Sequence, residues 1–148
     1  AVIHGCEAGP VPEIDIFQEK AVQECCRRLI SYGLVKSAHD CSEGGLAVAL
    51  AECCIAGGIG AKLELAIEGR EDAFLFGETQ SRIIITCVPR HLEKIQEVAA
   101  SFGVPLHLLG RVGGKRLLIR DLQGRVLIDL LVKEMEEKWR GSLSKALG

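Results

Sequence analysis

The chain has 148 residues, enough for one ordinary domain with its own core and no disulfide or metal staple. Its 18 basic and 20 acidic side chains leave a net charge of -2, which argues against an electrostatic nucleic-acid or membrane binder with a basic face or tail. No apolar run approaches the roughly 18–20 residues of a membrane span, and with only 4% aromatic residues the core must be built mainly from Leu, Ile, Val and Ala.

Residues 1–12 hold two glycines, two prolines and no periodicity, and read as a linker or lead-in segment. A single domain is expected over residues 13–148. Ile14, Phe17, Ala21, Val22, Cys25, Leu29 and Ile30 recur at three- and four-residue steps, predicting a helix from about Ile16 to Tyr32. Asp15 with Gln18 suggests a capping box, and Gly33 a stop. An extended piece, Val35 to Asp40, leads through Cys41-Ser42-Glu43-Gly44-Gly45 into a second helix, Leu46 to Ala56. Its small apolar residues predict burial on several sides. Alternation from Ala61 to Leu65 predicts a half-exposed strand, and a short helical turn is expected around Asp72 to Phe76.

The β-branched run Ile83 to Val88 predicts a central strand. Pro89 opens a third helix reaching Phe102, with Leu92, Ile95, Val98 and Ala99 as its stripe. Strands follow at Leu106–Val112, Arg116–Arg120 and Val126–Ile128, punctuated by Gly113-Gly114 and Gln123-Gly124. A last amphipathic helix after Asp129 carries Leu131, Met135 and Trp139. This order predicts an α+β fold, a mostly antiparallel sheet layered with helices.

Two polar clusters carry chemistry. In the first, Ser37 to Gly45, a strand breaks into a glycine pair that opens a helix. Glycines let backbone approach a ligand, and free helix N–H groups favour an anion. Ser42 could cap the helix or donate to a phosphate, and Asp40 could cap it, accept from a ribose or hold Mg²⁺ through water. The same residues also fit a capped helix whose glycines serve close packing. His39 and Asp40 point to opposite faces of a strand and form no dyad by themselves. A hydrogen-bonded structural role suits His39 better.

The second cluster is Gly77-Glu78-Thr79-Gln80-Ser81-Arg82, at the mouth of the apolar strand, where ligands often meet a sheet. It also fits a plain polar turn in which Arg82 pairs with Glu78. Seven cysteines show no two-residue spacing of a zinc or redox site. They read as reduced, mostly buried thiols of a cytosolic protein.

Together these segments resemble phosphoribosylformylglycinamidine synthase. The resemblance runs from Ser37-Ala38-His39-Asp40 and Ser42-Glu43-Gly44-Gly45 through Gly57-Gly58-Ile59-Gly60. It continues through Leu75-Phe76-Gly77-Glu78-Thr79-Gln80-Ser81-Arg82 and Gly103-Val104-Pro105 to Leu109-Gly110-Arg111-Val112-Gly113, Trp139 and Leu143. It covers nearly the whole chain, in order. The family more often has Asp at Glu43 and Ser-Gln-Gly at Thr79-Gln80-Ser81.

The resemblance implies the last carboxy-terminal domain of the synthetase subunit, of the aminoimidazole ribonucleotide synthetase-like type. The family is an ATP-dependent, amidine-forming ligase of purine biosynthesis that acts on formylglycinamide ribonucleotide with glutamine as nitrogen donor. It further implies ATP and Mg²⁺ in the full enzyme, a second site able to hold a structural nucleotide, and no cofactor needed for this domain to fold. The expected partners are the remaining synthetase domains and a glutaminase that supplies ammonia, in the cytoplasm. Asp40, Ser42, Gly44, Gly45, Glu78, Gln80 and Arg82 are the expected phosphate- or nucleotide-facing residues, with no catalytic residue and no metal ligand. A domain cut from its partners would be inactive alone and could self-associate. The competing readings are an interaction module with no ligand, and the matching domain of aminoimidazole ribonucleotide synthetase or selenophosphate synthetase.

Overall fold

A computed structural model describes residues 14–147, with side chains through residue 141. The expected lead-in over residues 1–12 lies outside the described residues. Helix α1 spans Ile16–Ser31. Asp15 caps it, accepting from the N–H groups of Phe17 and Gln18 at 2.9 and 3.1 Å. Gly33, at φ +66°, carries the chain out. Only the middle of the predicted stripe is buried, at Val22, Cys25 and Leu29. Phe17 is 89% exposed, and Ile14 and Ile30 also face outward.

The next elements are β1 (Ser37–Asp40), α2 (Gly45–Gly57), β2 (Ala61–Leu65) and α3 (Glu71–Phe76). Strand β3 (Ile83–Thr86) leads through a 3-10 turn, Pro89–His91, into α4 (Leu92–Ser101). Strands β4 (Gly110–Val112), β5 (Arg116–Asp121) and β6 (Val126–Leu131) precede α5 (Val132–Leu147).

The strands form two sheets. β1 and β3 make an antiparallel pair, and β4-β2-β5-β6 a four-stranded sheet. Only the β2–β5 pairing is parallel, so the fold is α+β with mostly antiparallel strands. Leu63, Leu65, Leu117 and Ile119 line one face of the larger sheet under Leu46, Leu50 and Cys54 of α2 and Met135 of α5. A second core joins Cys25 and Leu29 of α1 to Ile95, Val98 and Ala99 of α4.

Three elements differ from the sequence expectation. β3 is not a central strand, and all four of its residues are half-buried. Successive side chains alternate, so Ile84 packs against the first core while Ile85 and Cys87 pack against the second. Covering on both faces explains the unbroken apolar run without many neighbouring strands. β4 is shorter than Leu106–Val112: its ladder with β2 covers Ala61–Leu63, and beyond it the Glu64 N–H reaches back to the Leu109 carbonyl at 2.9 Å. Finally, Leu131 ends β6 and does not belong to the last helix. It stands opposite Arg116, and the Val132 N–H still reaches the Lys115 carbonyl at 3.0 Å.

One polar group is buried among the described residues. Asp121, at the end of β5, is 7% exposed. It accepts from the backbone N–H groups of Gln123 and Arg125 at 3.0 and 2.8 Å, and from Arg125 Nε at 3.0 Å. Arg125 also pairs with Glu71, tying the β5–β6 turn to the start of α3. The Arg125 guanidinium, aided by the two backbone donors, holds the Asp121 carboxyl below the usual aspartate range against the opposing effect of desolvation. A depressed folded pKa contributes stability that is complete above the ordinary value of about 4 and is lost as pH falls through the folded one. Asp121→Asn is therefore expected to lower the urea midpoint at neutral pH and to lie closer to the wild type in acid. Equal gaps at neutral and acid pH would contradict this role.

Candidate functional site

Antiparallel pairing of β1 with β3 places Asp40 opposite Ile83. The loop leaving β1 and the loop entering β3 therefore meet, and the Cys41 N–H bonds the Arg82 carbonyl at 2.9 Å. The two polar clusters, 32 or more residues apart in sequence, become one edge.

Their contact is made by backbone and charge. Gly44 precedes α2 at φ +77°, and no side chain of its own segment caps the helix. Neither Ser42 nor Asp40 serves as the cap. The Gly44 N–H instead donates to Glu78 Oε1 at 3.0 Å, so a carboxylate from the other loop sits at the N-terminus of α2. Gly45 is buried against the end of α3. A methyl there would lie 2.7 Å from the Gly77 carbonyl oxygen, and the backbone has φ +67°. Only glycine satisfies both constraints.

Arg82 does not pair with Glu78. Its guanidinium donates to the Gly77 carbonyl and, at 3.4 Å, to those of Phe74 and Thr79. It thus neutralises the carbonyl end of α3 and fixes the turn that presents Glu78. Asp40, Ser42, Glu78 and Gln80 are exposed on this edge. Asp40, Ser42 and Gln80 form no side-chain hydrogen bond with another described residue. Among the described residues no three His, Cys, Asp or Glu side chains converge as a cation site.

The family model and the similar sequences point to one family. Residues 2–121, well over half of the chain, match the model described as AIR synthase related protein, C-terminal domain. The chain belongs to this family. It is 46% identical over 143 residues to phosphoribosylformylglycinamidine synthase subunit PurL of Moorella thermoacetica, covering 97% of this chain and 19% of that protein. The corresponding subunit of Alkaliphilus metalliredigens is 47% identical over 143 residues, with the same coverage. The chain therefore spans about one fifth of the length of these relatives. The fold matches Thermotoga maritima PurL complexed with FGAR at a TM-score of 0.78 and 22% identity, covering 89% of this chain and 23% of that one. T. maritima PurL complexed with ATP gives 0.77 at 21% identity, covering 86% and 23%.

Within this AIR synthase related domain, Ser81 stands out. Its φ of +64° is the only positive value at a described residue other than glycine. Glycine, which the resemblance leads one to expect at this position, would suit that backbone. Ser81 offsets the strain with a bond that glycine lacks, since its Oγ donates to Glu19 Oε2 of α1 at 2.6 Å. That bond, followed by the one from Gln23, holds the Glu19 carboxyl below its usual range. Glu19 was not legible from sequence, because it lies 62 residues away on a helix whose stripe suggested only packing. Ser81→Ala keeps the strain and loses the bond, and is expected to destabilise by about 1–2 kcal/mol. Ser81→Gly loses the same bond but releases the strain, and should recover about 1 kcal/mol of that loss. Thermal or urea unfolding measures both, and an alanine variant as stable as the glycine variant would refute the account.

Proposed function

We propose that this domain works inside a phosphoribosylformylglycinamidine synthase synthetase chain. That enzyme would use ATP to turn formylglycinamide ribonucleotide into the amidine, with ammonia from a glutaminase. The supporting observation is identity of 46–47% across 97% of the chain to such subunits. As the last, carboxy-terminal domain it would contribute a loop edge and packing surfaces, while other domains complete the nucleotide site. On this reading the other domains of the intact enzyme hold the Mg²⁺ that accompanies ATP. No described helix is long and apolar enough to cross a membrane.

On this reading Ser42, Gly44 and Gly45 face a phosphate group, and Asp40 positions their loop. Glu78 and Gln80 lie on the same edge, and Arg82 shapes it by holding the Gly77–Thr79 turn. The Gly44 N–H that now meets Glu78 is the donor a phosphate oxygen would compete for. The site holds either a nucleotide that turns over or a structural one.

Two measurements test these statements. The 148-residue chain alone is expected to form no amidine from ATP, formylglycinamide ribonucleotide and ammonia, and measurable product would overturn its dependence on partner domains. In the intact subunit, ADP should shift the amide resonances of Gly44, Gly45, Glu78 and Gln80. Shifts confined to other surfaces would remove this edge from the nucleotide site.

A further inference from the structure

The four-stranded sheet ends in two edges, β4 and β6. β4 is three residues long and begins with glycine, which makes it a poor template for another strand. β6 is the opposite case. Its six residues, Val126–Leu131, include no proline and no lysine, and its one irregularity lies at the end beside Arg120. Residues 128–131 thus form a regular, mostly apolar edge of the kind that accepts another strand.

The ladder with β5 fixes which groups face outward. The Val132 N–H bonds the Lys115 carbonyl at 3.0 Å, and hydrogen-bonded pairs alternate along an antiparallel ladder. Leu130 and Ile128 therefore spend their backbone groups on Leu117 and Ile119, while those of Asp129 and Leu131 point away from β5. Among the described residues nothing bonds that outer edge. Beside it runs a groove of about 530 Å³ lined by Leu130, Glu134, Met135, Glu137 and Lys138. Leu130 stands opposite the buried Leu117, on the face that α5 covers, yet it is 46% exposed because no strand follows β6. Glu137 pairs with Lys133 at 3.7 Å. Glu134 and Lys138 form no ion pair with another described residue.

We propose that β6 is the interface at which two copies of this chain join. Self-complementarity selects a second copy as the occupant. A twofold axis pairs β6 antiparallel with itself, and one position of that axis uses both outward-facing residues. With the axis at Leu130, Asp129 of each copy stands opposite Leu131 of the other, and each pair exchanges two N–H···O=C bonds. An axis at Asp129 sets carboxylate against carboxylate and carries Leu131 opposite the bulge at Leu127. An axis at Leu131 runs the strand into α5. In the Leu130-centred register the two leucines meet as a non-hydrogen-bonded pair, with Cα atoms about 4.5 Å apart, and each fills the groove of the other beside Met135. The axis also reverses α5, so Glu134 of one copy lies toward Lys138 of the other, and the groove is complementary in charge to itself. The proposal is independent of the phosphate-facing edge, because it uses none of those residues.

Sedimentation velocity on the 148-residue chain tests this. With rising concentration the chain is expected to pass from monomer to dimer and stop there, because an isologous contact closes on itself. Leu130→Lys brings two ammonium groups together at the axis and should weaken dimerisation about tenfold or more, with circular dichroism confirming that the variant is folded. Glu134→Lys should weaken it about threefold or more, and Glu134→Lys combined with Lys138→Glu should restore it. If Leu130→Lys fails to fold, the charge variants decide. A wild-type chain that stays monomeric to about 1 mM, or assemblies that grow past the dimer, would overturn the proposal. So would a folded Leu130→Lys variant that dimerises as tightly as the wild type, or a reversed pair no tighter than Glu134→Lys alone. A monomeric wild type would leave the edge to a strand from a different protein.

Discussion

The pairing of β1 with β3 is the constraint on which the rest depends. Four residue pairs, from Ser37↔Thr86 to Asp40↔Ile83, join two segments more than forty residues apart. A one-residue slip would exchange the faces of β3. Ile84 would leave the core beneath α2, and Ile85 would leave the core between α1 and α4. The register is therefore set by two cores at once. The same register sets the separation of the two loops.

Close backbone approach then does what side-chain capping does elsewhere. The N-terminus of α2 lies against the C-terminus of α3 because position 45 has no side chain. Opposite partial charges of the two helix ends are each answered by a formal charge from the loop 77–82. Glu78 meets the N–H end at Gly44, and Arg82 meets the carbonyl end at Phe74 and Gly77. The loop is thus pre-organised before any ligand arrives. Ser81 and Glu19 extend that order to α1.

The thiols belong to the packing and not to this edge. Cys25, Cys41 and Cys54 are buried, and Cys26, Cys53 and Cys87 are partly covered. Burial pushes the thiols of Cys25, Cys26, Cys41, Cys53 and Cys54 up, away from the reactive thiolate. Among described residues they behave as small apolar groups, which suits a core with few aromatics.

Local chemistry made much of this protein legible in its sequence. Helical periodicity, the Asp15 cap, the Gly33 stop and the alternation in β2 are properties of neighbours along the chain, and each was found where that pattern put it. The two polar clusters were visible as residue types in order, and so was the family. Tertiary structure alone decided how they meet. Glu78 replaces the expected Ser42 or Asp40 cap because β1–β3 pairing brings a carboxylate from position 78 to the Gly44 N–H. Arg82 turns to backbone carbonyls because the fold sets its guanidinium against the end of α3. β3 gains its two faces from cores built by helices on either side, and Leu131 remains in a strand because a ladder partner, Arg116, stands opposite it. Periodicity records which side chains seek burial, but the burying surface and the nearest charge are set by contacts distant in sequence.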